Sequence, residues 1–212
     1  DGCVYLADWY DTRLSHVRPV DDWHKASGRI YRIKPEGSAP AYRIGDLTQK
    51  KGVELLGLLE HPNRWVRRRA VLEIGWQNKR SLLPSLVKKV AANEGQASLE
   101  SLWALSLLGG LEEKLALEWL KHKDPHLRRC VVRLLGDKRT ISDTLTNALQ
   151  ALAKREKDLE GLIQLAASAK RFPSGQGLPI LQTLADRSEN SSDKCLPLMI
   201  WWGLESHCET GR

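Results

Sequence analysis

Most of this chain follows a repeating pattern of paired amphipathic helices, which restricts it to a small set of folds. From about Leu47 onward, apolar residues recur at helical spacing, for example between positions 82 and 91. The second helix of each pair is predicted to end near one of five marks: Gly75, Gly109, Gly136, Ala169 and Gly203. The four glycines among them are predicted to close their helices in the left-handed conformation. The marks are 34, 27, 33 and 34 residues apart. This period predicts a mainly α fold, an α-solenoid of about five short helix pairs over residues 47–206.

The composition is that of a packed globular protein. Of 212 residues, 42% are apolar and 28% are charged, which argues against disorder, and no apolar run is long enough to span a membrane. Eight Trp accompany a single Phe and a single Met. We therefore expect the tryptophans of the helical region to fill the core and the contacts between pairs. These are Trp65, Trp76, Trp103, Trp119, Trp201 and Trp202.

The turn inside two of the pairs narrows the class of solenoid. Residues 61–70 parallel residues 124–131, because each stretch has an early proline and then an apolar–Arg step, Val66–Arg67 or Leu127–Arg128. The proline is predicted to open the second helix, where a missing N–H has no consequence. This turn resembles that of HEAT repeats, so we expect HEAT-like helix pairs. Only the first and third pairs carry the full motif, and the other three rest on periodicity alone.

The N-terminal segment has a different character. Between Cys3 and Trp9 the side chains fall alternately on two faces of an extended chain, which predicts a strand. Residues 29–33 predict a second strand. An irregular loop, residues 11–27, lies between them. We expect a β segment over residues 1–36, a linker over 37–46, the solenoid over 47–206 and a tail over 207–212.

The N-terminal motifs, D-G-C-V-Y-L-A-D-W-Y-D at residues 1–11 and G-R-I-Y-R-I-K-P at 28–35, carry a resemblance to a known family. Together with P-N-R-W at 62–65, they resemble the membrane-bound dehydrogenases of planctomycete-type bacteria. Those proteins have a β-propeller similar to that of pyrroloquinoline-quinone sugar dehydrogenases, followed by HEAT-like repeats. Since the chain starts at Asp1 rather than at Met, we expect it to be an internal fragment of such a protein, with residues 1–36 the remnant of the last propeller blade.

The resemblance implies that the parent protein is a sugar-dehydrogenase-like oxidoreductase of the periplasm or cell envelope. It implies pyrroloquinoline quinone, calcium and haem c as cofactors of the parent, and none in this fragment. No C-x-x-C-H haem motif occurs, and no catalytic residue of the family can be carried over to a numbered position. We therefore expect the fragment to be a non-catalytic scaffold that spaces a propeller from an electron-accepting domain. Its expected partners are neighbouring domains of the same chain or another protein.

A basic cluster offers an alternative function. The formal net charge is +7, and residues 47–92 hold ten basic against three acidic side chains, centred on Arg64, Arg67, Arg68 and Arg69. These arginines are expected to pair with carboxylates of the next repeat. The alternative is a basic solenoid that binds nucleic acid or another anionic partner through the cluster. Confinement of the charge to one repeat argues against nucleic acid.

Two further groups are candidate binding sites. The loop contains five oxygen and imidazole donors that are weak candidates for a divalent cation, although their spacing matches no known site: Asp11, His16, Asp21, Asp22 and His24. Trp201 and Trp202, in an apolar helix, are expected to form either a terminal core or a docking surface for another domain.

Overall fold

The protein consists of a small sheet followed by helices. The computed structural model describes residues 3–8, 28–37, 44–92, 95–187 and 193–209. The chain divides into two compact units, residues 1–46 and residues 47–212. The predicted mainly α fold with a short N-terminal β segment is confirmed.

The first unit contains an antiparallel pair of strands, β1 (Val4–Ala7) and β2 (Ile30–Ile33). The register places the first residue of β1 opposite the last residue of β2. One further hydrogen bond, from the Asp8 N–H to the Arg29 carbonyl at 2.7 Å, continues the pairing. All strand residues are exposed, although most are apolar. Within the described residues, therefore, neither face of the sheet is covered.

The second unit contains ten α-helices within residues 44–92, 95–187 and 193–209. They are α1 (Gly52–Leu58), α2 (Arg64–Trp76), α3 (Leu83–Ala92), α4 (Gln96–Leu107), α5 (Glu113–Trp119), α6 (Pro125–Asp137), α7 (Asp143–Arg155), α8 (Leu159–Ala169), α9 (Ser174–Ala185) and α10 (Leu196–Glu209).

The helices stack as consecutive pairs. Each even-numbered helix, the second of its pair, packs on the next even-numbered helix, so α2, α4, α6, α8 and α10 form one layer. The first helices lie on the other side, where α5 packs on α7 and α7 on α9. One continuous core of buried leucines, valines and alanines runs between the two layers. The predicted apolar stripes face this core: Leu86 and Val90 of α3 are buried, as are Leu127 and Val131 of α6.

Side-chain caps begin α2, α6, α7 and α8. The side chains of Asn63, Asp124, Ser142 and Asp158 accept backbone N–H bonds at 2.8, 2.9, 3.2 and 2.8 Å. Such caps satisfy N–H groups that have no partner inside the helix. The two turn prolines were predicted to open their helices, and this is confirmed for only one of them. Pro125 is the first residue of α6, whereas Pro62 precedes the cap of α2.

The predicted role of the glycines at the helix ends is wrong for three of the four. Gly75, Gly136 and Gly203 lie inside α2, α6 and α10, and only Gly109 has a positive φ, at 71°. The three helical glycines are contact points between helices instead. A Cβ at Gly75 would lie 3.1 Å from Leu107, and a Cβ at Gly136 would lie 2.8 Å from the Cβ of Ser168. The repeated glycine thus marks where neighbouring helices approach closely.

The left-handed positions that close α2 and α6 are occupied by other residue types. Asn78 has φ 47° and Arg139 has φ 62°, each two residues after its helix ends. Asn78 donates its N–H to the Gly75 carbonyl at 2.9 Å, and Arg139 donates to the Gly136 carbonyl at 3.2 Å. This is the hydrogen-bond pattern of a left-handed helix end. The cap therefore lies three residues beyond the repeated glycine.

The predicted packing role is confirmed for two of the six helical tryptophans and is wrong for the other four. Trp119 is fully buried and Trp103 packs against the core. The other four helical tryptophans are exposed, with exposed fractions of 64% for Trp65 and Trp76, 61% for Trp201 and 46% for Trp202. Leucine supplies the core volume instead, so the exposed tryptophans require another explanation.

The last helix is longer than predicted. α10 continues through position 206 to Glu209, and the buried imidazole of His207 lies 3.0 Å from the Ala169 carbonyl oxygen. Residues 207–209 therefore belong to the helical unit rather than to a tail. Within the described ranges, no helix has both the length and the apolar run required to cross a bilayer.

Candidate interaction site

The five proposed metal ligands, Asp11, His16, Asp21, Asp22 and His24, lie outside the residues that the structure describes. Metal binding in this loop therefore stays a prediction. In the described part of the chain, no group of three or more His, Cys, Asp or Glu side chains is arranged to hold a metal ion.

The four arginines of the basic cluster have different surroundings. Arg67 and Arg69 form ion pairs with buried carboxylates. Arg64 and Arg68 are exposed and form no ion pair with the described residues. The cluster is therefore half structural, and only two of its charges are open to a ligand.

Arg67 joins the first pair to the second. Its Nη1 donates to the carbonyl oxygens of His61 and Pro62 at 2.8 and 2.9 Å, and its Nε donates to Glu100 Oε1 at 3.2 Å. Glu100 lies in α4 and is 1% exposed. Its Oε1 also accepts from Gln96, whereas its Oε2 has no hydrogen-bond partner in the described structure.

Arg128 repeats this arrangement between the third and fourth pairs. Its Nη1 donates to the carbonyl oxygens of His122 and Lys123 at 2.7 and 3.0 Å. Its Nε and Nη2 donate to the two oxygens of Glu156 at 2.7 and 2.6 Å, which makes the pair bidentate. Glu156, just after α7, is 3% exposed.

The turns before α2, α6 and α8 have an equivalent position two residues before the cap residue. There the side chain of His61, His122 or Glu156 accepts the backbone N–H of the cap residue at 3.0 or 3.1 Å. In the fourth pair this position therefore carries a carboxylate, which also receives Arg128 from the preceding pair. The sequence signal was available: an arginine lies four residues after the Asn63 and Asp124 caps, with a His two residues before them.

Electrostatics favour the charged forms of Arg128 and Glu156. Burial would raise the pKa of the Glu156 carboxyl, but hydrogen bonds from Arg128 and from the backbone N–H groups of Asp158 and Lys157 outweigh burial and lower that pKa. The hydrogen bond to Glu156 in turn raises the pKa of Arg128. The lowered pKa of Glu156 and the raised pKa of Arg128 both mean that the fold stabilises the charged forms of this ion pair.

Arg69 braces an exposed tryptophan. Its Nη2 lies 2.6 Å from Glu73 Oε1 without hydrogen-bond alignment, so the contact is an ion pair. Its guanidinium carbon lies 4.8 Å from the centre of the Trp76 ring. The arginine thus holds the indole of Trp76 at the surface.

A groove lies on the layer of second helices, beside the basic cluster. It has a volume of about 360 Å³ and is formed by α2, α4 and α6. Its lining residues are Arg68, Val71, Leu72, Glu100, Trp103, Arg133, Leu134 and Asp137. We call it the α2–α4–α6 groove. Sequence reasoning found only Arg68 of this set, because the other residues come together through helix stacking.

The tryptophan pair of α10 lies elsewhere in the helical unit. Trp201 and Trp202 are exposed on a helix that packs on α8 and α9, whereas the basic cluster lies on α2, which packs on α1 and α4. The structure does not bring the two predicted interaction groups together. Exposure excludes the terminal-core alternative for these two side chains.

The cysteines of the described residues are free thiols. Cys130 lies on α6 and is half-buried, and burial raises the pKa of its thiol. It therefore behaves as a packing residue rather than as a reactive thiolate.

Comparison with protein-family models, with curated proteins and with solved structures finds no match to this chain.

Proposed function

We propose that the helical unit is a non-catalytic scaffold that binds a protein partner through its layer of second helices. The observation that carries this proposal is the exposed apolar surface of α2 and α4. Trp65, Leu72 and Trp76 of α2 and Leu107 of α4 are 38–64% exposed. Large apolar side chains grouped on one face of a soluble unit are typical of an interaction surface.

The proposal includes a HEAT-like character for the helix pairs. The helices α2 and α6 hold an arginine at the same position, four residues after the cap, and each arginine bonds back to the turn before its helix and forward to the next pair. Such contacts couple neighbouring repeats, as expected for a stack in which each pair contacts only its neighbours.

The proposal also places the unit in a larger, exported dehydrogenase-like protein. There it would hold a β-propeller and an electron-accepting haem domain in a fixed relation. Pyrroloquinoline quinone, calcium and haem c would belong to those other domains. The support is the resemblance of residues 1–11, 28–35 and 62–65 to the strings of that family.

The alternative is binding of nucleic acid or another anionic partner through the basic cluster. Arg64 and Arg68 favour it, because both are exposed without a carboxylate partner in the described structure. Arg67 and Arg69 do not, because their charges are already balanced by Glu100 and Glu73. A duplex DNA titration at two salt concentrations tests this alternative, since phosphate contacts weaken steeply with salt.

Site-specific crosslinking in the protein encoded by the natural gene tests the main proposal. A photoreactive benzoylphenylalanine replaces Trp76 on the second-helix layer or, as the control, Lys88 on α3. We expect crosslinks to another domain or protein from position 76 and none from position 88. Equal crosslinking from both positions would contradict the proposed face.

The flanking sequence of the natural gene tests the placement in a larger protein. We expect propeller repeats before residue 1 and a C-x-x-C-H motif after residue 212. If both the propeller repeats and the C-x-x-C-H motif are absent, the spacer role is wrong.

A further inference from the structure

The lining of the α2–α4–α6 groove combines apolar side chains, which we call its floor, with two exposed arginines, Arg68 and Arg133. Leu72 and Leu134 line it from α2 and α6, and the partly buried Trp103 lines it from α4. Its volume of about 360 Å³ is at the lower end of the range for binding pockets, about 300–1,000 Å³. This space suits one or two large side chains.

The two basic side chains at the groove are not neutralised by the acidic side chains beside them. The Glu100 carboxylate is bound by Arg67, and the Asp137 carboxylate is bound by Arg171. Neither Arg68 nor Arg133 forms an ion pair with any described residue. Two uncompensated positive charges, contributed by α2 and α6, therefore accompany the apolar floor.

We propose that the α2–α4–α6 groove binds an acidic peptide segment that inserts one large apolar side chain flanked by Asp or Glu. The apolar side chain packs on Leu72, Trp103 and Leu134, and the flanking carboxylates pair with Arg68 and Arg133. Charge complementarity selects an anionic partner, and burial of the anchor provides affinity. This inference rests on the proposed scaffold function and identifies the chemistry of the partner.

The groove suits a peptide better than nucleic acid. A nucleic-acid strand is held by basic side chains that follow its phosphates over several nucleotides. Here the two open arginines accompany a single pocket whose floor is largely aliphatic, and two carboxylates lie in its lining. One apolar anchor between two carboxylates matches this arrangement.

Binding of labelled peptides to the full 212-residue chain tests the inference. The probe is a fluorescein-labelled peptide in which one Phe or Leu is flanked on each side by two Glu, and binding is followed by fluorescence anisotropy. Two matched peptides replace the apolar residue with Ser or the Glu residues with Lys. We expect the acidic apolar peptide to bind at least about tenfold more tightly than either matched peptide.

Charge reversal locates the binding site. The double variant Arg68→Glu/Arg133→Glu is expected to weaken binding by at least about tenfold. The control Lys88→Glu/Lys114→Glu makes the same change of net charge on the first helices α3 and α5, and is expected to stay within about twofold of the parent. All four residues are exposed, so both variants should fold, and far-ultraviolet circular dichroism checks that they do.

Three results would overturn the inference. These are no binding of the acidic apolar peptide, equal weakening in both double variants, or binding of a DNA duplex in preference to the peptide. If crosslinking from position 76 persists while the peptide fails to bind, the scaffold function stands and only the partner chemistry is wrong. If there is neither crosslinking from position 76 nor peptide binding, both the scaffold function and the peptide-binding inference are contradicted.

Discussion

The first and third helix pairs contain the same turn, yet they are tied to their neighbours differently. Arg67 and Arg128 both donate to the two carbonyl groups of their own turn. Arg128 then forms two short bonds to Glu156, whereas Arg67 reaches one oxygen of Glu100 at 3.2 Å. The difference shows that a repeated turn determines the local contacts of its arginine. The partner across the interface depends on where the next pair supplies a carboxylate, which is in the turn before α8 for Glu156 and within α4 for Glu100.

The acceptors explain the difference. Glu156 lies in a turn, where it receives Arg128 and the backbone N–H groups of Lys157 and Asp158. Glu100 lies within α4, where the backbone N–H groups are used by the helix, and its Oε2 has no hydrogen-bond partner among the described residues. We therefore expect the contact between the third and fourth pairs to be the stronger one.

The largest effect is expected for Arg128→Ala. It would leave the buried Glu156 carboxylate without its cation, which lowers the free energy of unfolding by about 3–5 kcal/mol. Urea unfolding followed by circular dichroism measures this. The matched control is Arg129→Ala, which removes an exposed pair with Glu160 and should change stability by no more than about 1 kcal/mol. Equal losses in the free energy of unfolding for the two substitutions would contradict a larger contribution from the buried pair.

A smaller effect is expected for Arg67→Ala. Arg67 reaches Glu100 through a single bond of 3.2 Å rather than through a bidentate pair, so the free energy of unfolding should fall by less, about 1–3 kcal/mol. The same urea experiment measures it. A loss as large as that of Arg128→Ala would contradict the difference between the two interfaces.

The equivalent glycines should respond differently to alanine. At Gly136 the new Cβ would meet the buried Ser168, which cannot move away, so Gly136→Ala should lower stability by about 1–3 kcal/mol. At Gly75 the new Cβ would lie 3.1 Å from the Cβ and Cδ1 of Leu107, so a shift of only a few tenths of an ångström relieves the contact, and the better helix propensity of Ala offsets the crowding. Gly75→Ala should therefore be nearly neutral. Thermal unfolding of the two variants measures the contrast, and a reversed order would be evidence against it.

The smallest effect concerns pH. The pKa of Glu156 is lower in the folded protein than in the unfolded chain. Its contribution to stability is therefore present above the unfolded value, about 4.3, and is lost as the pH falls through the lower folded value. Glu156→Gln does not titrate, so the stability difference between the parent and this variant should shrink as the pH is lowered below about 4. Urea unfolding across this pH range measures the difference. A difference that grows as the pH is lowered would contradict the lowered pKa of Glu156 in the folded protein.

Sequence reasoning identified the parts of this structure that local signals determine. Periodicity predicted the mainly α fold, and the apolar stripes of α3 and α6 face the core as expected. The glycine marks were found but their role was misassigned, because the close approach of α2 to α4 at Gly75 is a tertiary contact.

The candidate site was less predictable, for the same reason. The basic cluster is evident in the sequence, but which of its arginines stay open depends on carboxylates 33 residues away in one case and four in the other. The groove draws Leu72, Trp103 and Arg133 from three helices, and no spacing along the chain indicates that they meet. Abundant Trp suggested core packing, whereas leucine fills the core and leaves Trp65 and Trp76 at the surface.

A double-mutant cycle on Arg128 and Glu156 tests most directly whether buried ion pairs couple successive helix pairs. The free energies of unfolding of the parent, Arg128→Ala, Glu156→Ala and the double variant are compared by urea denaturation. We predict a coupling energy of about 2–3 kcal/mol, larger than that of the corresponding cycle on Arg67 and Glu100. A coupling energy within about 0.5 kcal/mol of zero would contradict this account.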